Sequence, residues 1–94
     1  MPKLALLGVL VAVVSTPHVV ARVPTGDSPS GAIAAYGAVW VANDRSGTLA
    51  RIDPKTNRVV GTVKSGPGPF VVTFGYGDAW VPSYKGIDVW RIRP

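Results

Sequence analysis

The chain's stock of reactive side chains is small. One histidine, His18, accompanies five aspartates, Asp27, Asp44, Asp53, Asp78 and Asp88, and the sequence has neither glutamate nor cysteine. Without thiols there is no disulfide framework and no thiolate metal site. The aspartates lack the alternate spacing and closing glutamate of a calcium loop. No glycine-rich turn runs into Lys-Ser or Lys-Thr, as a phosphate cradle requires. Gly26-Asp27-Ser28 has the letters of an esterase nucleophile block. Its twin in the second copy, Gly66-Pro67-Gly68, reads as a plain turn, and a serine nucleophile needs an oriented base, for which no histidine exists apart from His18 at the leader boundary. The residues therefore predict no catalytic group, no cofactor and no metal site.

Other residues recur in a way that catalysis does not explain. YGAVWV at Tyr36 returns as YGDAWV at Tyr76. Laying residues 16–54 over 56–94 without a gap matches 13 of 39 positions. Among them are Val19/Val59, Val20/Val60, Val23/Val63, Gly26/Gly66, Pro29/Pro69, Trp40/Trp80, Arg51/Arg91 and Ile52/Ile92. A repeat of ~40 residues holding four short strands is the signature of a propeller blade.

The local pattern agrees. Residues 31–35 predict strand A. Tyr36-Gly37 predicts a tight turn, with glycine supplying positive φ. Residues 38–42 (AVWVA) are apolar on both faces, as in a strand covered from both sides. Residues 43–47 (NDRSG) predict a loop and 48–53 strand C. Asp53-Pro54-Lys55-Thr56-Asn57 predicts a turn, since Asp accepts local backbone bonds and Pro presets φ. Residues 58–64 predict the outer, more polar strand D. The second copy predicts strands at 71–74, 79–82 and 87–92, with strand B ending or bulging at Pro82. Residues 19–23 match strand D of a blade whose other strands the sequence does not contain. The fold predicted is all-β: one full blade of four-stranded antiparallel sheet and two partial ones, read as the amino-terminal fragment of a longer propeller. Gly or Pro interrupts every helical window after Val14.

Before the repeat, residues 4–14 (LALLGVLVAVV) follow Lys3. The run is too short for a membrane span, which needs about 20 apolar residues, and it fits a secretory leader. Residues 1–16 are read as that leader, a short helix with nothing to pack against, and 17–94 as the repeat region. Export to the periplasm, the cell surface or the medium follows as an expectation.

The order VVxxVxxGxxP, YGxxWVA, SGTLxRIDPxTxxVVGTV resembles the repeats of virginiamycin B lyase-like and YVTN-type bacterial propellers, usually seven-bladed. Trp40-Val41-Ala42-Asn43, Ser46-Gly47-Thr48, Arg51-Ile52-Asp53-Pro54 and Val59-Val60 carry the likeness over residues 19–94. Pro82-Ser83 and Ile87-Asp88-Val89-Trp90 depart from it. The resemblance implies a binding scaffold, a lyase or an extracellular sensor. Lyase members use histidine and glutamate near magnesium, and no such set carries over to this chain.

A blade's strands are structural and its loops carry function. The residues expected on a ligand face are Asn43, Asp44 and Arg45 in the first B–C loop, Phe70 in the D–A loop, and Tyr84 and Lys85 in the second B–C loop. Trp40 and Trp80 are expected to pack between blades, and Arg51 and Arg91 to find structural partners. Trp90, in the place of Ala50, is expected to be partly exposed. The function expected is a non-catalytic scaffold for an unknown ligand or protein, completed by the remaining blades of the same propeller. One alternative is a lyase-like enzyme whose catalytic blades lie elsewhere. The other is a polyanion or single-stranded nucleic-acid binder using the net charge of +5. Scattered rather than clustered charge weighs against nucleic acid.

Overall fold

The computed structural model describes residues 15–94. The expected leader helix lies outside them. Seven strands form two antiparallel sheets. The first is a meander of β1 (Pro29–Ala35), β2 (Ala38–Asn43), β3 (Thr48–Asp53) and β4 (Arg58–Lys64). The second holds β5 (Thr73–Gly75), β6 (Asp78–Pro82) and β7 (Val89–Ile92). Among the described residues no helix is long and apolar enough to cross a membrane.

Turn chemistry explains the meander. In Tyr36-Gly37 both residues have positive φ, 52° and 68°, and Tyr76-Gly77 repeats this with 54° and 81°. Two consecutive left-handed residues make the hairpin turn whose twist matches its flanking strands. At the β3–β4 turn, the Asp53 carboxylate accepts from Lys55 N at 2.9 Å, and its carbonyl accepts from Asn57 N at 2.8 Å. A register shift between Arg51 and Ile52 gives β4 one extra residue, Val60.

The sheets meet face to face. Cross-strand partners point to one side, so the pairs Ile33↔Trp40 and Ala35↔Ala38 define one face of the first sheet. The pairs Phe74↔Ala79 and Ala79↔Ile92 define the apposed face of the second. Ala38, Trp40 and Leu49 share one buried cluster with Val72, Ala79 and Val81, and Ile33, Ala35, Phe74 and Ile92 pack against it. Each large aliphatic side chain buried there contributes about 1.5–3 kcal/mol. Strand β2 is covered on both sides for most of its length, as its unbroken apolar run requires.

Strand β1 begins two residues early, at Pro29 rather than 31, and three other segments fall short of the sequence pattern. Residues 19–23 form no strand, and Val19 and Val20 are exposed. Their amides have no neighbouring strand among the described residues, and a strand needs one to satisfy its backbone. Strand β5 starts at Thr73 rather than 71: before it the chain meets the second sheet only through an isolated bridge from Pro69 to Ser83. Strand β7 starts at Val89 rather than 87, because Ser83 N bonds to Asp88 O at 2.9 Å and holds 83–88 as a closed loop.

Candidate ligand face

The sequence repeat is also a repeat of interactions. Trp40 Nε1 donates to Ala35 O at 2.9 Å, and Trp80 Nε1 donates to Gly75 O at 2.8 Å. Each indole also lies beneath a guanidinium: Arg51 is 5.2 Å from the Trp40 ring and Arg91 4.6 Å from the Trp80 ring. At the opposite end of the strands, Asp44 N bonds to Ser28 O and Tyr84 N to Gly68 O, both at 2.8 Å. In each copy the chain entering strand A is thus pinned to the loop leaving strand B, bringing the D–A and B–C loops together at one end.

Asn43 does the pinning in the first copy. It is wholly buried; its amide donates to Thr25 O at 3.1 Å and Thr48 Oγ1 at 3.3 Å, while its Oδ1 accepts from Thr25 Oγ1 at 2.9 Å. Its side chain is taken up by structure. Ser83 holds the equivalent place and donates to Pro67 O at 2.6 Å. Gly31 allows the close approach of β1 to the linker: a Cβ there would stand 2.5 Å from Phe70 O. Ser30 Oγ, one residue earlier, lies 3.2 Å from the carbonyls of Ala42, Pro69 and Phe70.

These anchors leave a groove of about 590 Å³ lined by Asp44, Phe70, Val71, Pro82 and Tyr84. The Phe70 and Tyr84 rings are 6.2 Å apart and tilted by 40°. Lys85 Nζ lies 3.8 Å from Asp44 Oδ1, too far for a hydrogen bond. Asp44 Oδ1 is buried and has no hydrogen-bond donor. The groove therefore offers aromatic faces, two apolar side chains and the part-exposed Asp44 carboxylate with an ammonium nearby. That combination suits a ligand bearing a hydrogen-bond donor next to an apolar surface.

Four of the six residues expected on the ligand face, Asp44, Phe70, Tyr84 and Lys85, gather at this groove. Arg45 stands outside its lining and pairs with exposed Asp27 at 3.8 Å. Sequence reasoning missed Val71, which it placed inside a strand, and Pro82, which it read only as a strand terminator. The exposed Val71 follows from the late start of β5. No single-sequence signal marks that delay beyond the preceding Gly-Pro-Gly-Pro.

A second cluster has an electrostatic role. Asp78 occupies the place of Ala38 and is buried. Arg93 contacts its carboxylate through Nε at 2.9 Å and through a second nitrogen at 3.1 Å, and Arg91 donates through Nε. The hydrogen bonds from Arg93 and then Arg91 hold the Asp78 carboxyl down to about 2, against an ordinary 3.8. The same contact raises Arg93. Among the described residues no three His, Cys, Asp or Glu side chains gather as a metal site would.

No family model matches this chain, and no curated protein matches it.

Proposed function

We propose that this chain is a wedge of an exported propeller-type repeat protein, of the virginiamycin B lyase-like or YVTN kind, that binds a ligand without transforming it. The blade reading is supported by two sheets with the same strand order, the same indole-to-carbonyl bond and the same loop latch, stacked so that one sheet covers the other's tryptophan. The observation that carries the binding reading is the convergence of Asp44, Phe70 and Tyr84 from separate loops on one groove, with the Asp44 carboxylate part-exposed. Strands hold this face and loops furnish it, as in other scaffolds that bind through loops. The ligand class is a sugar or peptide that presents a hydroxyl or amide donor beside an apolar face.

A glycan array and a displayed peptide library, each probed with the purified chain, test this reading. Binders are expected to lose about tenfold or more in affinity with Tyr84→Ala or Asp44→Asn, a loss of one strong contact. They should keep their affinity with Arg58→Ala, at the other end of the strands. Binders indifferent to both groove substitutions, or conversion of a bound compound to product, would overturn it.

A further inference from the structure

We propose that the 94-residue chain associates head to tail with further copies of itself, residues 18–24 of one copy adding as a fourth strand to the free edge of β7 in the next. The inference uses the blade reading given above.

Its first support is a matched vacancy. In the first sheet, β4 covers the edge of β3. In the second, β7 is the repeat of β3, and its outer edge has no neighbour among the described residues. The sequence equivalent of β4 on the same offset of forty is 18–24, which keeps Val19, Val20 and Val23. That segment pairs with no strand among the described residues, and Val19 and Val20 stand exposed. Exposed edges and unpaired apolar segments are the two halves of a strand addition.

The second support is direction. Strand β4 belongs to the sheet lying before the second sheet in the stack. By the same step, 18–24 belongs to a sheet lying before the first one. The chain's own second sheet lies on the other face of the first, so closure within one copy is excluded. Residues 25–28 fix this exit through Thr25 to Asn43, Ser28 O to Asp44 N and Asp27 O to Ser46 N.

The third support is the pair of open faces that the same association would close. Trp40 is covered by Phe74, with ring centroids 5.4 Å apart. Its repeat, Trp80, borders an open apolar hollow of about 580 Å³ with Thr73, Phe74 and Arg91. The residues of the first sheet that repeat Val72, Phe74 and Ala79 are Ala32, Ala34 and Val39, and none of them is fully buried. Strand addition therefore brings Trp80 of one copy against Ala32, Ala34 and Val39 of the next. The contact is heterologous and closes only as a ring.

The register of β3 with β4 sets that of the new pair. Leu49↔Val63 becomes Val89↔Val23, and Ala50↔Thr62 becomes Trp90↔Arg22. The chain has no cysteine, so single-cysteine variants report without background. The Val23→Cys and Val89→Cys variants of the chain are mixed in equal amounts under mild oxidation. The expected result is a crosslinked dimer formed about tenfold faster than with Val20→Cys in place of Val23→Cys, because a disulfide needs Cα atoms about 4.4–6.8 Å apart. Sedimentation of the unmodified chain is expected to show more than one copy, reduced to one by Val20→Pro, a change in a segment that contributes nothing to either sheet. A monomer at every concentration, crosslinking indifferent to position, or rapid closure within the Val23→Cys/Val89→Cys double variant would each overturn the proposal. A monomer that retains the Trp40–Phe74 contact refutes association alone; loss of that contact refutes the blade reading beneath it.

Discussion

At the scale of single residues, the repeat separates side chains that occupy equal positions in unequal surroundings. Trp40 is 4% exposed under the second sheet, whereas Trp80 faces an open hollow. Trp40→Ala is expected to lower unfolding free energy by about 3–5 kcal/mol, read from urea titration. Trp80→Ala should cost clearly less under conditions that keep the chain monomeric. Tyr36 and Tyr76 make the same comparison for the backbone. Both hold a left-handed φ that disfavours L-residues other than Asn, Asp and Gly. Tyr36 has the Phe74 ring 5.4 Å away as compensation; Tyr76 is 93% exposed. Tyr76→Asn is therefore expected to stabilise the protein by about 0.5–1 kcal/mol, and Tyr36→Asn to give no gain. Asp78 supplies a pH signature. Its folded pKa, about 2, lies below the ordinary 3.8, so the unfolded chain binds more protons in between. The stability it confers is complete above the unfolded value and is lost as pH falls through the folded one. Urea midpoints should fall from pH 5 to pH 2 in the parent more than in Asp78→Asn, which should begin lower at pH 5.

At the scale of elements, the first sheet was legible and the second only in part. Strands β3 and β4 fall where the pattern puts them, because a turn with its own chemistry, Asp53 to Asn57, fixes both ends. The Pro82 stop was legible for the same reason: a residue without an amide proton ends a ladder. The short β5 and β7 were not, since their starts are set by the contacts of Ser83 with Pro69 and Asp88. The loop face was legible as a set of exposed loops. That Asn43 would be consumed as a latch was not, because burial of an amide depends on Thr25, eighteen residues away. Asn43→Ala is expected to cost about 1–3 kcal/mol by leaving the groups it satisfies unpaired. Arg45→Ala, which breaks only an exposed pair, should cost under about 1 kcal/mol.

For the whole molecule, stability comes from one cluster shared by two sheets, neither of which has a covered core alone. The same geometry leaves the outer edge of β7 without a neighbouring strand among the described residues. All of this depends on the face-to-face contact of the two repeat units. The most direct measurement is a nuclear Overhauser spectrum of the labelled chain, read at the Trp40 indole. The expected result is cross-peaks from Trp40 to Phe74 with slow exchange of the Trp40 indole proton, which bonds to Ala35 O at 2.9 Å. A Trp40 indole that exchanges freely and shows no cross-peak to the second sheet would contradict the account.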